Sequence, residues 1–273
     1  MHAKAGPASA AHQGSAGRRK TGQGENFWQY RGYNAEDSAS RVDWRKSSRG
    51  DQLFVRETEM ETTRTFLFWC DPSDGFDWRG SEDVSTKAGR ALSILMALGS
   101  SIAKSGDRCG ALGGPRAPSS GGKAALSMAQ DLWQNPVETS LPVSNKKPAT
   151  LVLASDFYRP LESLSAWIQE LAHKNRNGTL LMVYDPIEAS YPYEGRIRFF
   201  NPSAKKDRLI GRAENLKEEY LKRFQQRRDD MQALAHSVGW NIVFHQSNEP
   251  AAPVFMQISS WLEMTRQDGK KPA

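Results

Sequence analysis

Three short apolar runs, each ending in an aspartate, constrain the fold of this 273-residue chain more than any other feature. They are RTFLFWCD (64–71), ATLVLASD (149–156) and TLLMVYD (179–185). Continuous apolar runs of this length are typical of strands buried on both faces, as in parallel sheets that are covered by helices. Segments with helical spacing of apolar residues separate the runs. The order of elements therefore predicts an α/β fold with a mainly parallel, Rossmann-like sheet and helices on both faces.

The predicted helices have recognisable ends. Segment 86–106 has apolar residues at helical spacing, with Thr86 able to cap its start and Gly106 able to end it. Pro160 opens another helix, because proline is well tolerated in a first turn. Further helices are predicted over 123–134, 212–237 and from 254 onward, and further strands over 52–62, 108–114, 194–201 and 240–245.

The carboxyl ends of the strands form the candidate site, since ligands of parallel α/β sheets bind at that edge. Asp71, Asp156 and Asp185 each follow a predicted strand and are expected there. Asp71 and Ser73 could place a carboxylate and a hydroxyl around Mg or Mn, with Asp156 as a second carboxylate. The alternative is that Asp71 and Ser73 only shape the turn after the strand.

The same edge allows an enzymatic alternative, a metal-dependent phosphoester hydrolase. Strand-end aspartates act as nucleophiles and Mg²⁺ ligands in phosphoryl transfer. The usual phosphatase pattern has a second aspartate two residues after the first. Here Ser73 stands at that position and Asp74 comes one residue later. The sequence therefore favours a function without catalysis.

Charge, cysteines and hydropathy limit the classes of partner. Residues 1–24, a predicted flexible tail, contain four basic and no acidic residues. This tail contributes +4 of the formal net charge of +6, so the rest of the chain is close to neutral. That distribution argues against nucleic acid as the main partner. No run of about 18 apolar residues exists, so no membrane span is expected.

Cys70 and Cys109 lie in apolar contexts and are expected to be buried free thiols in a reducing cytoplasm. A disulfide between them would require their strands to be neighbours.

Segment 25–63 is unusual because aromatic residues and arginines alternate in it. Such a pattern can stack on bases and bind phosphates. Acidic residues are mixed in, however, and they would repel a phosphate backbone while pairing with the arginines. Asp43 is expected to pair with Arg41 or Arg45 around Trp28 and Trp44. This composition favours a packed cap over a nucleic-acid surface.

The same segment carries a recognisable signature. It resembles the hallmark of the domain of unknown function family fifty-eight, whose members resemble von Willebrand factor A domains and are commonly encoded beside MoxR-type AAA+ ATPases. The resemblance is closest to soluble alphaproteobacterial members and covers roughly residues 12–264. Its matching positions are Gly22, Gly24, Glu25, Phe27, Trp28, Arg31, Tyr33, Asp37, Arg41, Val42, Asp43, Trp44, Arg45, Ser47, Arg49, Leu53, Val55, Arg56 and Glu57.

The resemblance implies a von Willebrand factor A-like domain over 64–266, a docked N-terminal cap over 25–63 and a tail over 267–273. It also implies a metal-ion-dependent adhesion site of pattern Asp-x-Ser-x-Ser with a threonine and a further aspartate. Asp71, Ser73 and Asp156 match that site, whereas Gly75 replaces the second serine and no threonine is assignable.

The expected function follows from the same resemblance. It is that of a cytoplasmic, non-enzymatic adaptor or assembly factor that binds a MoxR-type AAA+ ATPase and an unknown client protein. Candidate positions for partner binding or for the cap network are Arg31, Tyr33, Asp43, Trp44, Arg49 and Arg56.

Overall fold

The structure is a computed structural model that describes residues 20–22, 26–34, 37–48, 50, 52–60, 63–134, 141–142, 148–175, 177–201 and 206–268. A small antiparallel sheet comes first in the chain, with strand order β1-β3-β2. Its strands are β1 (Lys20–Gly22), β2 (Asn26–Gly32) and β3 (Phe54–Met60), and a helical turn, α1 (Trp44–Ser47), lies between β2 and β3. Strands β2 and β3 of segment 25–63 thus pair with each other, and β3 also pairs with β1, in a sheet separate from the main one.

The main sheet has five parallel strands, which confirms the predicted fold class. In chain order they are β4 (Thr65–Cys70), β5 (Arg108–Ala111), β6 (Thr150–Ser155), β7 (Asn177–Tyr184) and β10 (Asn241–Gln246). Between β7 and β10 the chain forms a separate hairpin of β8 (Ile197–Asn201) and β9 (Lys206–Ile210). Their spatial order is β10-β7-β6-β4-β5. The three runs that end in aspartate are β4, β6 and β7, which lie side by side.

Helices cover both faces of this sheet. They are α2 (Lys87–Lys104), α3 (Ala124–Gln134), α4 (Leu161–Lys174), α5 (Pro186–Ser190), α6 (Lys217–Ser237) and α7 (Ala251–Asp268). Alternate residues of a strand point to opposite faces, and β4 shows the result. Phe68 packs in a core with α2, α3 and α7, while Trp69 packs on the other face with α4 and α6 and meets the Trp167 ring edge-on at 5.0 Å.

Helix α2 shows how local sequence sets the ends of elements near the site. The Thr86 side chain accepts a hydrogen bond from the Gly89 N–H at 3.0 Å, as predicted for an N-cap. Gly106, just beyond the helix, has a φ of 86°, a conformation that residues with a Cβ rarely adopt.

None of the helices in the described ranges is both long and apolar enough to cross a membrane.

Three predictions differ from the structure in detail. Segment 194–201 does form a strand, β8, but it pairs only with β9 in an antiparallel hairpin and does not extend the main sheet. The helix expected from 212 begins at Lys217, after a 3₁₀ turn over Ala213–Leu216. The closing helix begins at Ala251, and Pro253 is accommodated in its first turn, where the backbone N–H has no intrahelical acceptor.

Cys70 and Cys109 are both buried and free. Their strands, β4 and β5, are indeed neighbours, but Cys109 lies opposite Phe66. Cys70 is four residues further along β4, which corresponds to about 13 Å. A disulfide needs Cα atoms within about 7 Å, so these thiols cannot pair in this fold.

Candidate functional site

The structure brings Asp71 and Asp156 to one edge of the sheet. They follow the neighbouring parallel strands β4 and β6, where Cys70 lies opposite Ala154. The Asp71 N–H donates to the Ala154 carbonyl at 2.9 Å, which continues the ladder by one residue. Both carboxylates are buried. The prediction that strand ends would gather these two residues is therefore confirmed by the geometry.

The Asp71 carboxylate is occupied by groups of the protein. Oδ2 accepts from Ser155 Oγ at 2.7 Å, and Oδ1 accepts from the Ser73 N–H at 3.0 Å. Arg159 Nη2 also lies 3.2 Å from Oδ1 and forms an ion pair with it. The contact with the Ser73 backbone is the turn geometry of an aspartate that hydrogen-bonds two residues ahead. Asp71 therefore shapes the loop and holds Arg159.

Asp156 binds a buried lysine. Lys87 Nζ lies 2.8 Å from Asp156 Oδ2 and 2.8 Å from Glu188 Oε1, and the Lys87 side chain is 1% exposed. The rings of Trp78 and Tyr158 lie with their centres 5.7 and 5.5 Å from the same nitrogen. Ammonium groups are attracted to aromatic faces at such distances. Two carboxylates and two rings therefore surround one ammonium.

The electrostatics of this cluster favour a charged lysine. Burial acts to lower the pKa of Lys87, but attraction to Asp156 and Glu188 outweighs burial and leaves the pKa above its ordinary value. Burial raises the pKa of Glu188, against the pull of the Lys87 ammonium. Lys87 also stands in the first turn of α2, where the helix dipole disfavours a cation. The two carboxylates must therefore offset both burial and the dipole.

Asp185, the third strand-end aspartate, has a structural role. It caps α5 by accepting from the Ile187 N–H at 2.9 Å, and Glu188 completes the capping box by accepting from the Asp185 N–H at 2.8 Å. Asp185 Oδ2 also accepts from the Gly80 N–H at 3.0 Å. A Cβ at Gly80 would come within 2.3 Å of Ile187 Cδ1, so the loop before α2 packs tightly on α5.

A groove of about 1200 Å³ opens at this edge of the sheet, and Asp71, Ser73 and Asp156 line it. The loop between α5 and β8, the β8–β9 hairpin and α6 form its other wall. Aromatic residues of that wall include Tyr193, Phe199, Phe200 and Tyr220, and arginines include Arg198, Arg208 and Arg223.

The wall is held together by ring contacts centred on Tyr191. That ring lies 4.8 Å from Tyr220 of α6, 5.1 Å from Tyr193 and 6.2 Å from Phe199 of β8. The Tyr191 hydroxyl donates to the Ala213 carbonyl at 3.1 Å. These contacts fix the hairpin against the body of the protein. The hairpin therefore presents a defined surface, with Phe200 64% exposed.

Two residues near the groove have backbone conformations that are rare for side chains with a Cβ. Phe157, directly after Asp156, has a φ of 54°, and Tyr191, directly after α5, has a φ of 45°. Such conformations cost about 1–3 kcal/mol each and concentrate at functional sites. Phe157 is fully buried, so packing holds it there. Tyr191 is the left-handed C-cap that ends α5, which is a common way for a helix to end.

Comparison with known families gives one match. The model of the family described as "Protein of unknown function DUF58" matches residues 29–230. The chain belongs to this family. No curated protein and no solved structure matches the chain.

The DUF58 match extends from β2 into α6 and so includes Asp71, Ser73, Asp156 and the groove wall. The family description states no function. The chemistry of this DUF58 protein must therefore be argued from its own residues.

The donor set of this DUF58 protein does not fit Mg or Mn as the adhesion-site pattern requires. Each candidate carboxylate already has a cationic side chain as partner, Arg159 for Asp71 and Lys87 for Asp156. Gly75 lines the groove without a hydroxyl. In the part of the chain that the structure describes, no three His, Cys, Asp or Glu residues group to hold a metal.

Sequence reasoning missed Lys87, Glu188, Ser155 and Arg159. Two of them left a signal. A lysine in the first turn, directly after the capping Thr86, opposes the helix dipole and so indicates a special partner. The DPIE segment at 185–188 has the aspartate-to-glutamate spacing of a capping box. Neither signal identifies the residue with which the side chain pairs, because the partners lie on elements that are distant in sequence.

The cap residues form a network within the small sheet. Arg31 makes two hydrogen bonds to the Asp37 carboxylate, each 2.8 Å long, and the Tyr33 hydroxyl donates to the Asp37 carbonyl at 3.1 Å. Asp43 accepts from the Tyr30 hydroxyl at 3.0 Å and caps α1 through the Lys46 N–H.

Trp44 begins α1 and is 62% exposed, so it is available to a partner and is not packed inside the cap. Arg49 lies outside the described residues, as do the side chains of Trp28, Arg41 and Arg56. The docking of the cap on the main domain stays a prediction.

Proposed function

We propose that this DUF58 protein is a non-enzymatic interaction module, an adaptor or assembly factor that works with a MoxR-type AAA+ ATPase on a client protein. The observation that carries the proposal is the groove at the carboxyl ends of the sheet, with its wall of aromatic residues and arginines. The family resemblance supports the choice of ATPase. It also supports a von Willebrand factor A-like domain and a cytoplasmic, alphaproteobacterial-like protein as parts of the same proposal.

The composition of the groove favours a protein partner. Aromatic residues and arginine dominate the energetic centres of protein–protein interfaces. Phe200 on β8 and Leu209 on β9 are exposed apolar side chains on a hairpin that the Tyr191 contacts hold in place. Exposed apolar side chains that lie together and are rimmed by charge mark an interaction site. We place the ATPase or client contact on this hairpin.

The groove offers little to a catalytic mechanism. Asp71, the candidate nucleophile, is held by Ser155, the Ser73 N–H and Arg159. Burial raises the pKa of Tyr158 and the pKa of Tyr220, so neither phenol supplies a base near neutral pH. The phosphoester hydrolase remains the alternative, and it predicts turnover of a generic phosphoester with Mg²⁺ or Mn²⁺ that Asp71→Ala abolishes.

The test uses the full chain and a MoxR-type ATPase from the same genome, purified and mixed with and without ATP. Binding is measured by interferometry for the wild type, for Phe200→Ala in the groove and for Trp133→Ala on α3. Trp133 is a matched control because it is 58% exposed and lies outside the groove. Loss of an aromatic anchor from an interface costs more than about 1 kcal/mol, so Phe200→Ala should weaken binding at least about fivefold.

Unchanged binding by Trp133→Ala together with weakened binding by Phe200→Ala supports the adaptor proposal. No binding of the ATPase in any nucleotide state overturns it. Equal loss in both variants contradicts the placement of the contact on the hairpin.

A further inference from the structure

The strand-end site contains a cation that belongs to the chain. We propose that Lys87 is a built-in replacement for a divalent ion, so that this DUF58 protein keeps its adhesion-site edge ordered and closed to metals. This inference does not depend on the adaptor proposal, because it concerns only what the edge itself binds.

The first argument is the coordination of the ammonium. Asp156 would be a metal ligand in an adhesion site, but its Oδ2 lies 2.8 Å from Lys87 Nζ. Glu188 from α5 adds a second oxygen at 2.8 Å. Lys87, Asp156 and Glu188 come from three different elements that meet at this edge. The ammonium of Lys87 on α2 thus links helix α5 to the loop after β6, as a structural metal ion does.

The second argument is the aromatic lining. The rings of Trp78 and Tyr158 both lie within about 6 Å of the Lys87 nitrogen, the range in which an ammonium is attracted to a ring. Mg²⁺ instead requires near-octahedral oxygen ligands and retains several waters. Two ring faces supply no such ligands. The surroundings therefore fit an ammonium better than a hydrated divalent ion.

The third argument is the second cation. Asp71, the other strand-end carboxylate, is paired with Arg159. Both adhesion-site carboxylates are thus paired with cationic side chains, and a divalent ion would have to displace Lys87 or Arg159 to bind them, which leaves a buried or half-buried cation without its partner. Gly75, at the position of the second serine, leaves one hydroxyl ligand fewer. The missing hydroxyl ligand and the presence of Lys87 therefore both disfavour a divalent ion at this edge.

The main test needs no variant. The wild-type protein is titrated with Mn²⁺, and free Mn²⁺ is followed by electron paramagnetic resonance. We expect the free signal to equal that of buffer at every Mn²⁺ concentration. One equivalent bound with a Kd of about 1 mM or tighter, the weak end of biological calcium sites, overturns the proposal.

A second test removes the internal cation. Lys87→Ala leaves Asp156 and Glu188 facing each other with a space where the side chain was, so we expect its Tm to fall. Propylammonium chloride should restore part of the Tm relative to NaCl at equal ionic strength, because it can refill the ammonium site. The matched control, Lys174→Ala, alters an exposed lysine and should respond equally to both salts.

If Lys87→Ala loses no stability, or if propylammonium acts equally on it and on the control, the ammonium does not hold the edge and the proposal is wrong. If Lys87→Ala does not fold, the wild-type Mn²⁺ titration still decides. Binding of Mn²⁺ by the wild type would refute this inference while leaving the adaptor proposal standing, and absence of ATPase binding would do the reverse.

Discussion

Replacement of Lys87 by methionine tests the energetic reasoning about the site. Methionine keeps the length of the side chain and removes its charge. The side chain of Lys87 is 1% exposed, and its partners Asp156 and Glu188 are 8% and 13% exposed, so solvent screens the lost attraction little. Removal of one partner from a buried ion pair costs about 3–5 kcal/mol, because a charge is left without compensation.

The expected loss lies near the lower end of that range. Burial already raises the pKa of Glu188, so without Lys87 this carboxyl can take up a proton and limit the penalty. We expect about 3 kcal/mol of unfolding free energy to be lost. For a domain of this size that corresponds to a fall in Tm of about 6–12 °C.

The assay is urea denaturation followed by circular dichroism on five proteins: the wild type, Lys87→Met, Glu188→Gln, the double variant and the control Lys174→Met. Glu188→Gln removes the surplus carboxylate, so the double variant should lose about 1–2 kcal/mol less than the sum of the single losses. Lys174→Met, at a half-exposed pair with Glu170, should change stability by less than about 0.5 kcal/mol. A Lys87→Met loss below about 1 kcal/mol, or strict additivity, would refute the reasoning.

Three further predictions follow from buried groups. Gly178→Ala should cost about 1–3 kcal/mol in urea denaturation, because its Cβ would lie 2.2 Å from the Trp240 ring. Burial lowers the pKa of His245. The unfolded chain therefore binds a proton near pH 6.5 while the folded chain does not, and unfolding free energy should fall as pH drops below about 6.5, with a smaller fall in His245→Leu. Burial raises the pKa of Cys109 to about 11, and raises that of Cys70 further, so Ellman's reagent should label neither thiol until the protein unfolds; rapid native labelling would contradict this burial.

Much of the fold could be predicted because its signals are local. Continuous apolar runs identify strands that are buried on both faces, and the capping Thr86 together with Gly106 marks the ends of α2. The separate β8–β9 hairpin was harder to predict. Within β8, Ile197 and Phe199 are half-buried while Arg198 and Phe200 are exposed, which is the alternation of a strand with one solvated face. That alternation distinguishes β8 from the strands of the parallel sheet, but it does not identify β9 as its partner.

The candidate site was predictable only as a location. Strand ends place Asp71 and Asp156 on one edge, since parallel strands share their carboxyl ends. Their partners depend on residues far away in the chain: Lys87 is 69 residues before Asp156, and Glu188 is 101 residues after Lys87. Arg159 reaches Asp71 across 88 residues. The two carboxylates expected to bind a metal are thus paired with Lys87 and Arg159. The spacing of residues in the sequence does not reveal these partners.

The sequence by itself determined the α/β class, the parallel strands, the ends of the main helix and the edge at which function is sought. These features follow from short-range effects, namely side-chain alternation, helix capping and the burial of apolar runs. Only the tertiary structure decided that Lys87 pairs with Asp156 and Arg159 with Asp71, that the hairpin builds a groove wall and that the two cysteines remain apart. Such outcomes depend on strand order, register and loop paths, which bring together groups that have no local relation in the chain.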